Sequence, residues 1–365
     1  MAQITATAFQ STRLPQQMSL GIAMPAPTCQ PVTESLGLAL GWDYAHRGQT
    51  PPVEHLFAAS PLRQGWQAGK ATFGHRTLHN NRFTRMWLLL RTHAWSRGRN
   101  FEEVQLTPNY LQQIDVANCP ITRAPLNDRR GDPNERSIDR VRNDAGYAAG
   151  NVVMLSHAAN SAKAWHDHGS ANEVARSVAD GPIERIAGLG ADEWRRIAVL
   201  TSFVTELPHA EAALIPLVVM PPNRLRLFNP IQALQVLITR QMATVGWSQR
   251  LACVENMLPN DDMRGDFNRF VLALAPRVLV AHGAINAQQI RWALEDAWTQ
   301  PLLLKRWSRF AMQLTAAQAE SLVQRAAAKQ LSQSIHVQQH AAEMATEGWA
   351  LERKGYCGFS TTATH

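Results

Sequence analysis

From residue 169 onward, apolar residues return every three or four positions in segment after segment, and this spacing confines the second half of the chain to helices. The spacing predicts helices over 192–207, 230–245, 264–282, 287–298 and 316–331, joined by turns rich in Pro, Gly and Asn. No repeat of fixed period runs through them. Trp194, Trp247, Trp292, Trp298, Trp307 and Trp349 fall in these apolar patterns and are expected in the core. The first half reads differently. Residues 82–97 carry Phe83, Met86, Trp87, Leu90 and Trp95 at helical spacing with Arg82, Arg85 and Arg91 between them. Thr107-Pro108 then supplies an N-cap and a first-turn proline for a second helix. Beyond the turn-rich stretch 118–136, short β segments are expected at 137–141 and 151–155, and a helix over 156–165 with Ser156 as its cap. The local order is strand, loop, strand, helix.

Charge is segregated in the same way. The chain of 365 residues holds 36 Lys+Arg and 29 Asp+Glu, a net of +7. Residues 60–165 contain 15 basic and 8 acidic side chains, and the remainder balances at 21 of each. One segment therefore carries the whole excess, as expected of a surface that meets a polyanion such as nucleic acid. The plainer alternative is a solvated basic face. Four scattered cysteines do not make a disulfide framework. The longest apolar run, 212–220, falls short of the roughly 20 residues a membrane span needs. The first residues show no charged stretch followed by an apolar one. A cytoplasmic protein without a membrane partner is expected.

The most specific string is Ser137-Ile138-Asp139-Arg140-Val141-Arg142-Asn143, followed by Gly146-Tyr147, Asn151-Val152, and Asn160 with Lys163. It resembles the phage-like branch of the HNH endonuclease family, whose members carry S-I-D-R, then N-x-x-G-Y, N-V and a trailing N-x-x-K. Upstream, Arg97-Gly98-Arg99-Asn100-Phe101, Leu106-Thr107, Tyr110-Leu111 and Cys119 are similar to that branch's lead-in. The resemblance covers about 85–165, under a quarter of the chain.

The resemblance implies an α+β chain, with a small ββα-metal unit followed by a mostly helical domain. The expected division is a poorly ordered arm over 1–55 with a short helix near 33–40, an HNH-like nuclease domain over 60–168, a helical domain over 169–345 and a flexible tail over 346–365. It implies metal-dependent hydrolysis of DNA, expected to be double-stranded, with Mg²⁺ or Mn²⁺ held by hard oxygen donors. Asp139 and Asn160 fall on the metal-ligand positions, and Asn151 on the loop-orienting one. Lys163, with Arg142, Arg97, Arg99 and Arg91, is expected to contact nucleic acid, and the basic helix over 82–99 to lie along its backbone in a salt-sensitive, mostly sequence-independent contact.

Two departures qualify this. The position after the strand aspartate is normally the general-base histidine, and here it is Arg140, which stays protonated. Arg140 is then expected to clamp phosphate. The base falls to a metal-bound water or another histidine, with His157 nearest and His75, His79 and His93 in the basic lead-in. Second, the usual Cys₄ zinc positions read Cys119, Thr122, Ser156 and Ala159, so no structural zinc is expected. A nucleic-acid-binding protein with an inactive HNH-derived unit is the alternative. The helical domain is expected to serve oligomerisation or a partner protein.

Overall fold

A computed structural model describes residues 30–283, 286–331 and 345–357. Among them are fourteen α-helices and one two-stranded antiparallel sheet, a mostly helical protein with a small β element. No helix among the described residues is long and apolar enough to cross a membrane.

The chain opens with α1 (Gln30–His46), α2 (Pro61–Phe73) and α3 (Arg82–Ser96). Part of the expected N-terminal arm is therefore a packed helix, and residues 1–29 of it lie outside the described residues. Leu40 and Tyr44, one turn apart on α1, are buried, and Tyr44 Oη lies 2.9 Å from Thr92 Oγ1 on α3. Glycines bring α1 and α2 into backbone contact. A Cβ on Gly41 would sit 2.0 Å from the Leu62 carbonyl oxygen, and one on Gly65 would sit 1.9 Å from that of Leu38. On α3, Asn81 caps the first turn by accepting from Thr84 N–H at 2.9 Å. Trp87, Leu88, Leu90 and Ala94 form its buried face, and Trp87 Nε1 donates to the Leu106 carbonyl at 2.8 Å. The short α4 (Pro108–Ile114) starts where Thr107-Pro108 predicts, with Thr107 accepting from Tyr110 N–H.

β1 (Arg136–Arg140) pairs with β2 (Val152–Ser156), in a register that sets Arg136 opposite Ser156 and Asp139 opposite Val153. β2 is buried throughout. Its last residue, Ser156, accepts from Ala159 N–H at 3.2 Å and so caps α5 (His157–Lys163). Cys119, the one cysteine at the four zinc-ligand positions, is buried beside that cap. Ser156 N–H and Oγ lie 3.3 and 3.4 Å from its Sγ, so a thiol and a hydroxyl join the turn to the strand–helix junction.

The remaining helices are α6 (His168–Asp180), α7 (Ala191–Ser202), α8 (His209–Leu214), α9 (Pro230–Met242), α10 (Trp247–Glu255), α11 (Asp261–His282), α12 (Ala287–Ala297), α13 (Pro301–Ala311) and α14 (Ala316–Ala328). Almost every residue of α9 is buried, as befits the central helix of a bundle. Its buried polar groups have partners: Gln235 Nε2 donates to the Ile215 carbonyl at 3.0 Å, and Thr239 Oγ1 accepts from Trp298 Nε1 at 3.1 Å. Trp194, Trp298, Trp307 and Trp349 are fully buried, whereas Trp247 and Trp292 are half-buried.

Val153, Met154 and Leu155 of β2 belong to the same apolar core as α7, α9 and α13. No break in the core falls at 168/169, where two domains were expected to part. The expected flexible tail also differs. Residues 345–357 pack against the lead-in loop, and 358–365 lie outside the described residues. Trp349 stacks on Phe228 at 5.4 Å and donates from Nε1 to the Ala149 carbonyl at 3.1 Å. Asn100 N–H and Cys357 N–H complete the docking, bonding the carbonyls of Gly355 and Gly98. A large aromatic side chain near the terminus outweighs the Gly-, Ser- and Thr-rich composition around it.

Candidate active-site cleft

A cleft of about 1100 Å³ opens between α3, β1 and α5. Arg82, Met86, Leu89 and His93 of α3, and Arg97 just past its end, line it at spacings of three and four, so one face of that helix forms a wall. The opposite wall is β1 with His157 and Asn160 of α5, and Trp165 stands at the rim. Of the residues expected at the site, Asp139, Arg140, Asn160, His157 and Arg97 line this cleft.

β1 alternates, so Ser137 and Asp139 share the face turned to α5. On α5, Asn160 and Lys163 are three apart and share a face. The two faces meet in pairs. Asn160 Nδ2 donates to Ser137 Oγ at 2.7 Å, and Lys163 Nζ donates to Asp139 Oδ1 at 3.2 Å. The helix residue directly against Asp139 is therefore Lys163, and Asn160 is its diagonal neighbour. Lys163 is fully buried and spends its other donors on the Arg140 carbonyl at 2.9 Å and Asn143 Oδ1 at 3.1 Å. This corrects its expected role, because a buried ammonium with three partners does not reach out to a phosphate.

Asp139 is 6% exposed. Burial pushes its carboxyl above the ordinary aspartate range, and the Lys163 ammonium pulls the other way. Its Oδ2 lies 3.1 Å from Lys163 Nζ without hydrogen-bond alignment, and it has no hydrogen-bond partner among the described residues.

Arg140 donates from Nη1 to the carbonyls of Asn143 and Ala145, at 3.0 and 2.6 Å, and lies 5.2 Å from the Tyr147 ring centroid. It ties down the β1–β2 loop while its side chain lines the cleft. Asn151 holds the same loop from beneath. It is fully buried, accepts from Arg142 N–H at 2.8 Å, and donates to the carbonyls of Arg142 and Gly146 at 3.2 and 3.0 Å.

The expected nucleic-acid contacts divide sharply. Arg97 is exposed on the cleft wall. Arg91 points inward instead: it is buried over the Trp87 ring and paired with Asp43 and Glu103. Arg99 is buried too, donating to the Lys354 carbonyl at 2.7 Å and lying over Tyr356. Arg142 pairs with Asp144 at 2.9 Å, on a separate hollow. These three are structural arginines, whose acidic or carbonyl partners lie far away in sequence or within the loop itself.

In their place the cleft presents Arg82, Arg85 and Arg136. Arg136 is paired with Asp115 and Asp128, each at 3.1 Å, and Arg82 also pairs with Asp115. Arg85 and Arg97 have no acidic partner among the described residues. Arg82, Arg85 and Arg97 belong to the basic helix over 82–99 that was expected to lie along a nucleic-acid backbone, and all three line the cleft.

Among the described residues no three His, Cys, Asp or Glu side chains gather as a metal cluster. The donors that fit a divalent cation are Asp139 and Asn160, hard oxygens on one cleft, one with a buried oxygen lacking a hydrogen bond. Two protein oxygens suit a Mg²⁺-like ion that keeps several waters and takes substrate phosphate oxygens. Lys163 competes for the same carboxylate. No family model, curated protein or solved structure matches this chain.

Proposed function

We propose that the protein is a metal-dependent endonuclease hydrolysing DNA phosphodiester bonds at this cleft, through a ββα unit of the HNH kind. The observation that carries the reading is one cleft lined by the Asp139 carboxylate, the Asn160 amide and the guanidiniums of Arg85 and Arg97. Two unpaired guanidiniums supply salt-sensitive phosphate binding without sequence preference. Asn151 and Arg140 hold the β1–β2 loop in place, and that loop carries Asn143 and Tyr147 into the cleft. A cation held by Asp139 and Asn160 would neutralise charge on the scissile phosphate and its leaving oxygen. The Lys163 ammonium on Asp139 favours a second reading, in which the unit binds nucleic acid without cutting it.

The two readings part in a plasmid-nicking assay with Mg²⁺ or Mn²⁺. Asp139→Asn and Asn160→Ala are compared with wild type, and circular dichroism checks that each variant is folded. Metal-dependent nicking by wild type, lost in both variants, supports the endonuclease. Equal salt-dependent DNA binding by all three, with no nicking by any, supports the binding protein.

A further inference from the structure

Arg140 occupies the place where the family resemblance calls for a proton acceptor, and a guanidinium does not take a proton at neutral pH. The cleft has two imidazoles on its walls, His157 and His93. Strand register separates them. His157 follows Ser156, which pairs with Arg136, whereas Asp139 pairs with Val153. Three residue steps separate these points, about 10 Å along β1. His157 thus stands at the far end of the strand from Asp139. His93 stands at the near end. Its Nδ1 lies 3.1 Å from Tyr147 Oη, and the Arg140 guanidinium lies 5.2 Å from the same Tyr147 ring. Tyr147 therefore bridges the α3 wall to the end of β1 that carries Asp139 and Arg140.

We infer that His93 is the general base of the cleft, positioned by Tyr147 from across it. The inference rests on the endonuclease reading. In the step it assigns, a water oxygen attacks the scissile phosphorus as the bond from phosphorus to the leaving sugar oxygen breaks. The water's proton passes to His93 Nε2, and the leaving oxygen takes a proton from solvent. The role requires the tautomer in which Nδ1–H donates to Tyr147 Oη, because Nε2 then keeps the lone pair this step needs. The surroundings agree. The charged and titratable groups facing His93 are Arg97 on its own helix, Arg140 on β1 and the Tyr147 phenol. Burial of the ring, then Arg97 and Arg140, hold the imidazole below the ordinary histidine range. The residue as a whole stays open to the cleft.

The test is the pH profile of kcat/KM for metal-dependent cleavage by the full chain. Wild type should rise with pH through an inflection below the usual histidine value and then level. His93→Ala should lose about 10²- to 10⁴-fold and the inflection with it. Its affinity for the same oligonucleotide should be unchanged, and added imidazole should restore part of the rate. His157→Ala should keep the inflection, and Tyr147→Phe should keep the fold and move the inflection. Cleavage by His93→Ala within threefold of wild type, or a rate lost only in step with DNA binding, would overturn this role alone. Absence of cleavage by wild type with either metal would overturn the endonuclease reading, and the role with it.

Discussion

Lys163→Met tests the central ion pair. Methionine keeps the length of the lysine stem and removes its charge. The ammonium is fully buried and bonds Asp139, the Arg140 carbonyl and Asn143, so its loss strands a carboxylate that is itself almost wholly covered. Removing one partner of such a pair costs about 3–5 kcal/mol, a large share of the roughly 5–15 kcal/mol that holds an ordinary domain together. The loss should depend on pH in a definite direction. Burial already raises the Asp139 carboxyl above its usual range against the pull of Lys163, so without that pull it rises further. An acid whose folded pKa is raised favours the folded state below the unfolded value near ~3.9. It penalises the folded state as pH climbs through the folded value. The deficit should therefore be largest at pH 8 and shrink toward pH 4. Urea unfolding followed by tryptophan fluorescence at several pH values measures it. The double variant Asp139→Asn/Lys163→Met, which strands no charge, should be more stable than Lys163→Met alone at pH 8. A deficit below about 1 kcal/mol for the single variant, or one equal at pH 5 and pH 8, would refute the reasoning.

Three further outcomes are expected. Arg85→Ala and Arg97→Ala should each lower the slope of log affinity for DNA against log salt by about 0.9, read by fluorescence anisotropy, whereas Arg91→Lys should leave that slope unchanged. Asn151→Ala should cost about 2–4 kcal/mol through three lost buried hydrogen bonds and open residues 142–150 to limited proteolysis. Gly65→Ala places a Cβ 1.9 Å from the Leu38 carbonyl oxygen. It should cost at least about 2 kcal/mol, and hydrogen exchange should show α1 released from α2.

The strand–loop–strand–helix order, the Thr107 and Ser156 caps and five of the later helices were legible, because each is written in a local signal. Periodicity, a hydroxyl before a helix and a turn dipeptide all act over a few residues. What stayed hidden depends on long-range partners. Arg91 shares the buried face of α3 with Trp87 and Ala94, four and three residues away, yet nothing near it announces that Asp43 and Glu103 will fold around it. Lys163 looked like a phosphate contact because it falls on the trailing basic position of the family resemblance, and only the tertiary fold brings Asp139 against it. The helix over 30–46 was half-hidden by its small residues. Gly41 on α1 and Gly65 on α2 mark the place where the two backbones meet, and Gly37 and Gly69, four residues from each, leave room for side chains of the neighbouring helices.

The docking of residues 345–357 joins parts of the protein that are distant in sequence. Gly146 N–H bonds the Trp349 carbonyl, and the Trp349 indole donates to the Ala149 carbonyl 200 residues away, so the loop that Asn151 and Arg140 hold is also buttressed from behind. A bond across such a separation must first close a long loop of chain. The hairpin that lines the cleft is therefore local in its pairing but long-range in its rear support.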